Sequence, residues 1–157
     1  MEREKEAFMR RAIELSRQSM DQGGGPFGAV IVRHGEIVGE GANGVTIRCD
    51  PTAHAEVTAI RRAAENLQNF DLSGCEIYTS CEPCPMCLGA IYWARLDKIY
   101  YAADRQDAAD AGFDDSLIYR EIALDPARRS IPMDRIPAPA ARAVFDRWIE
   151  KEDKTEY

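Results

Sequence analysis

The chain has 157 residues, 45% hydrophobic and 30% charged, the profile of a globular domain long enough to bury a core without disulfide staples. Acidic residues outnumber basic ones 27 to 20, for a net charge of −7. That balance argues against a nucleic-acid partner, which needs Lys and Arg to neutralise phosphates. The opening Met1 to Glu6 is charged and leads into no long apolar run, so neither a signal peptide nor a membrane span is expected. The five cysteines are an odd number, and Cys81, Cys84 and Cys87 lie too close together for loop-closing disulfides; metal ligation and a reducing, cytoplasmic setting are the simpler reading.

From Glu4 to Met20, Phe8, Ile13 and Leu15 with Ala7 and Ala12 predict an amphipathic helix, broken by Gly23-Gly24-Gly25-Pro26. Phe27 to Val32 and Glu36 to Gly41 read as strands of a hairpin turning at His34-Gly35. Asp50-Pro51-Thr52 opens a predicted helix to about Leu67, with Pro in the first turn, where its missing N–H matters least. Cys75 to Thr79 reads as a strand, Cys84 to Ala94 as a helix and Lys98 to Ala102 as another strand. This β-β-α-β-α-β order favours an α/β sheet with helical crossovers. Beyond it, Phe113 to Ile122 and Ala138 to Glu150 are expected helices, and Lys151 to Tyr157 is a polar tail that composition alone assigns to fraying.

Two short motifs carry chemistry: His54-Ala55-Glu56 and Pro83-Cys84-Pro85-Met86-Cys87. One imidazole and two thiolates form a borderline-soft donor set suited to Zn²⁺, one per subunit, with the fourth tetrahedral position left open for water. Both motifs fall at expected helix starts, where partial positive charge favours thiolate over thiol. Glu56, two residues from His54, projects in another direction and is placed to shuttle a proton between water and substrate. This pair of motifs is the signature H-x-E … P-C-x-x-C of the zinc deaminases. Cys81 extends the run to C-x-x-C-x-x-C, which leaves a closed Cys₃His structural site as an alternative. Pro83 argues against it by starting the helix after Cys81 and leaving that thiol on the preceding segment.

A narrower resemblance follows from longer stretches. Gly24 to Val32, Asp50 to Ile60, Tyr78 to Arg95, Asp107 to Ser116 and the final Tyr157 resemble the bacterial guanine deaminases of the small, cytidine-deaminase-like type. The resemblance is weakest from Asp125 to Lys151. It implies one zinc deaminase domain over residues 1–157, built as a three-layer α/β/α sandwich around a central mixed five-stranded sheet. It further implies a homodimer that exchanges the C-terminal segment from about residue 130, so that Tyr157 completes the partner copy's site. The substrate would be a small purine base, converted by hydrolysis of guanine to xanthine and ammonia. By position, Asn43 would contact the base through its amide and Asp115 would face the N–H groups of guanine. Phe27 would form a stacking wall and Trp93 would line the pocket. Bland readings stand beside these: a turn residue for Asn43, a helix N-cap for Asp115, core packing for Phe27 and Trp93.

Other functions share the metal motif. A tRNA adenosine deaminase calls for basic surface that this acidic chain does not advertise. Cytidine or deoxycytidylate deaminases lack Phe113-Asp114-Asp115 and the final tyrosine, whereas guanosine and ammeline, an aminotriazine, remain alternative substrates. A non-catalytic zinc-binding module is the alternative of a different class, and Glu56 beside the metal motif speaks against it.

Overall fold

A computed structural model describes all residues 1–157. The chain divides into two compact units, Met1–Asp115 and Ser116–Tyr157. In the first unit the elements run α1 (Glu2–Asp21), β1 (Gly28–Arg33), β2 (Glu36–Ala42), α2 (Val45–Arg48), α3 (Ala55–Leu67), β3 (Cys75–Cys81), α4 (Pro85–Trp93), β4 (Lys98–Ala103) and α5 (Arg105–Asp110). The strands form one mixed sheet in the order β2-β1-β3-β4. β1 pairs antiparallel with β2 and β3, and β3 pairs parallel with β4 across the α4 crossover.

Alternation along the inner strands sorts the core into two layers. Ala29 and Ile31 of β1 and Ile77 of β3 join Ala55, Ala59 and Ala63 of α3 and Ile91 of α4 in one cluster. Val30, Val32 and Tyr78 point the other way, onto Leu15 of α1. The first unit is therefore an α/β/α sandwich, as expected, but its sheet has four strands and not five. The physical reason lies just past β4. Asp104 accepts from Asp107 N–H (2.9 Å) while Asp107 accepts from Asp104 N–H (3.0 Å), a capping box that commits the chain to helix. No later segment forms a strand that could pair with β4.

The hairpin turns at the expected residues: His34 and Gly35 both have positive φ, 51° and 79°, as a two-residue turn with the twist of its strands requires. The predicted helix start at Asp50 needs correction. Asp50 Oδ1 accepts from the Thr52 N–H (2.9 Å) and hydroxyl (2.7 Å), closing a side-chain turn. The helix begins only at Ala55, with His54 as its N-cap. Two short helices, α2 and α5, were not expected.

Glycines let α3 lie directly on β2. A Cβ on Gly41 would stand 2.1 Å from the Ala55 carbonyl and 2.5 Å from the Ala59 nitrogen. Because those obstacles are backbone, Gly41→Ala is expected to cost about 3 kcal/mol, the upper end of ordinary overpacking. Denaturant unfolding measures this, and a midpoint equal to wild type would show the approach to be looser than described.

The second unit contains α6 (Ser116–Ile122), a 3₁₀ turn (Pro126–Arg128) and α7 (Pro139–Glu150). Arg129 donates to the Glu121 (2.9 Å) and Ile122 (3.2 Å) carbonyls, closing the end of α6. No residue of 116–157 is buried. Val144, Phe145 and Ile149 of α7 are all more than half exposed.

Candidate active site

α3 packs against α4, which brings two helix starts together. His54 is the N-cap of α3 and Cys84 the N-cap of α4, both with extended backbone. Glu56 lies in the first turn of α3, and Pro85 opens α4 ahead of Cys87. Extended N-cap backbone turns the His54 and Cys84 side chains off the helix axes and toward each other. His54 Nδ1 lies 3.5 Å from Cys84 Sγ and 3.5 Å from Cys87 Sγ, and the three donor atoms lie within 4.8 Å of one another. Zinc bound at about 2.3 Å to sulfur and 2.0–2.1 Å to nitrogen sets tetrahedral N and S ligands roughly 3.5 Å apart. The donor set fits zinc in both spacing and chemistry.

Burial is uneven across the cluster. Cys87 and Glu56 are buried, while His54 and Cys84 are partly exposed, so the donors open to solvent on one side. The Cys84 thiol is pulled down to about 4, chiefly because its thiolate accepts a hydrogen bond from Cys87, with His54 adding to the effect. Cys87, the donor in that pair and deeply enclosed, is pushed upward. One negative charge thus resides on Cys84, and that contact raises His54. Burial pushes the Glu56 carboxyl up, opposed by a hydrogen bond with Cys87. Proximity to the sulfurs and a poised carboxyl give Glu56 the character of a proton carrier.

Cys81 stands apart. It ends β3, donates to the Asp104 carbonyl (3.7 Å) and is pushed up to about 11, mainly by burial. It is absent from the donor cluster, so the closed Cys₃His alternative receives no support.

The expected base-contacting residues are placed as follows. Asn43 follows β2 and is 8% exposed. Its N–H donates to the Phe27 carbonyl (3.0 Å) and its carbonyl accepts from Ser19 Oγ (2.7 Å). Its Oδ1 accepts from the Gly25 (3.3 Å) and Val45 (3.2 Å) N–H groups. With the amide oxygen occupied by backbone donors, the NH₂ end is the part left for a ligand. Phe27 is half-buried beside the α3-side core and meets Phe113 edge-on at 5.0 Å. That contact ties the turn carrying Asp115 to the start of β1. Asp115 ion-pairs with Arg105 (3.6 Å), a partner that no local sequence signal identifies. Trp93, in the last turn of α4, is 71% exposed, which rules out core packing. Tyr157 lies in the second unit and is also exposed.

An α/β/α sandwich with imidazole, two thiols and a carboxyl gathered at two helix starts defines a zinc-binding deaminase domain. The chain belongs to the cytidine and deoxycytidylate deaminase family, matching its zinc-binding region over residues 2–103. It is 52% identical to the guanine deaminase of Bacillus subtilis over 97% of this chain and 98% of that protein. The crystal structure of that enzyme superposes with a TM-score of 0.94. A guanine deaminase from Nitrosomonas europaea gives a TM-score of 0.68 at 36% identity, over 70% of this chain and 64% of its own. Similarity to the tRNA-specific adenosine deaminase of Aquifex aeolicus, 40% identical, spans 63% of this chain and 66% of that protein.

Proposed function

We propose that the chain is a zinc-dependent hydrolase that converts guanine to xanthine and ammonia in purine breakdown. The observation that carries this reading is the near end-to-end likeness to the Bacillus subtilis guanine deaminase, over 97% of this chain, against 63% for the tRNA deaminase relative.

His54, Cys84 and Cys87 hold the metal, one ion per subunit. When bound, zinc supplies Lewis acidity, which brings the pKa of water toward neutrality. Glu56 takes a proton from the water that adds to C2, delivers it to ring N3, and assists departure of the exocyclic amine as ammonia. The Asn43 NH₂ group donates to an acceptor on the base, and the Asp115 carboxylate accepts from its N–H groups, which favours guanine over adenine. Phe27 offers a flat apolar wall for the ring.

The working unit is a homodimer in which residues from about 130 to 157 are exchanged, so that Tyr157 and, from its exposed position, Trp93 complete the pocket. Support comes from the second unit itself. The stretch Ser116–Tyr157, with no buried residue and an apolar helix face left open, cannot hold its fold alone; a second copy is the simplest cover. No helix is long and apolar enough to cross a membrane. All five cysteines are free, in keeping with a reducing, cytoplasmic setting.

The test is loss of guanine absorbance on adding zinc-loaded protein, run beside guanosine, ammeline, cytidine and adenine. Guanine is expected to be consumed fastest. Faster turnover of guanosine or ammeline would transfer the assignment to that substrate, and a zinc-loaded protein inert to all five would leave a binding module.

A further inference from the structure

We propose that Arg105 is a positioning residue for base recognition, fixing the Asp115 carboxylate against the mouth of the site. This inference rests on the guanine reading, in which Asp115 accepts from the base.

The geometry forms a chain from the metal loop to the carboxylate. Glu82 lies between Cys81 and Pro83, two residues ahead of the Cys84 ligand. Its N–H donates to the Ala103 carbonyl (2.8 Å), and its Oε2 accepts from the Arg105 N–H (3.1 Å). Arg105 is the first residue of α5, immediately after the Asp104 N-cap whose capping box holds that turn. Its backbone is therefore fixed on both sides, by the Glu82 carboxylate and by the cap. From this anchored position the guanidinium Nε reaches Asp115 Oδ1 at 3.6 Å.

The pair is asymmetric in a way that suits a positioning role. The Asp115 side chain is 19% exposed and that of Arg105 is 41% exposed, so the carboxylate faces inward and the arginine backs it from the outer side. Charge on Cys84 raises the Asp115 carboxyl, and charge on Asp115 raises Cys81, so the carboxylate shares the electrostatic surroundings of the sulfur-bearing segment. Burial pushes the Asp115 carboxyl upward and Arg105 opposes that push. Without Arg105 the carboxylate is both freer to rotate and less favoured as an ion, and each change weakens an acceptor meant for guanine N–H groups.

The test measures steady-state kinetics on guanine for zinc-loaded wild type, Arg105→Gln, Arg105→Lys, Asp115→Asn and the double variant Arg105→Gln/Asp115→Asn. Arg105→Gln is expected to raise KM about tenfold with kcat changed less than about threefold, the scale of one weakened charge-assisted hydrogen bond. Arg105→Lys should recover part of the loss, since a point charge replaces the guanidinium imperfectly. In the Asp115→Asn background the Arg105 substitution should change KM by less than about twofold, because its effect passes through that carboxylate. Zinc content and unfolding midpoint should match wild type. An unchanged KM in Arg105→Gln, or the same increment in both backgrounds, overturns the proposal while leaving the guanine assignment intact. A wild-type protein that leaves guanine untouched overturns the assignment and this inference together.

Discussion

Glu56→Ala is expected to keep its zinc and lose about a thousandfold or more of its guanine turnover. Positioned proton transfer contributes roughly 10²–10⁴ in rate, and Glu56 is the one carboxyl that hydrogen-bonds within the donor cluster. The metal should remain because the three donors, His54, Cys84 and Cys87, are untouched. Substitution also removes a buried carboxyl, 6% exposed, so stability should hold or rise. Metal analysis and ultraviolet kinetics on one preparation settle the matter. Zinc loss would make Glu56 part of metal retention, and turnover within tenfold of wild type would assign the proton transfer to another group.

Deleting Thr155 to Tyr157 is expected to lower turnover about a hundredfold with metal content unchanged, the penalty typical of a reacting molecule held loosely. The segment lies in the unit that buries nothing of its own, so its removal should spare the sandwich and its unfolding midpoint. Mixing this truncation with a full-length Glu56→Ala protein adds a sharper outcome. If tails are exchanged, a mixed dimer holds one site with both an intact Glu56 and a partner's Tyr157, and activity should reappear. Full activity of the truncation alone would remove Tyr157 from the site.

Much of the site was legible because its chemistry lies in short, local patterns. His54-Ala55-Glu56 and Cys84-Pro85-Met86-Cys87 sit at helix starts whose spacing needs no knowledge of the tertiary fold, and the structure brings their donors together. The His34-Gly35 turn was equally local. Errors arose where two local signals competed. Asp50-Pro51-Thr52 has the composition of a helix start, yet the Asp50 side chain closes a turn on Thr52 and delays α3 to Ala55. A fifth strand was implied by resemblance, but the Asp104 capping box turns the chain into helix instead. The Arg105–Asp115 pair was not legible at all, because it depends on how the turn at Gly112 folds back on α5. Trp93 could not be placed from its apolar neighbours, since the outer side of α4 is as apolar as the inner, with Tyr92 76% exposed.

The placement of His54 and Cys84 as helix N-caps carries one more consequence. Neither provides a standard side-chain cap, where the oxygen of Ser, Thr, Asp or Asn would satisfy a backbone N–H and add about 1 kcal/mol each. Both helices therefore begin without a strong oxygen cap, and α4 makes do with the softer contact of the Cys84 sulfur with the Cys87 N–H. The sequence keeps a reserve of unused stability at the two points where the donors are required, and selection for robustness alone would erase the site by filling both caps.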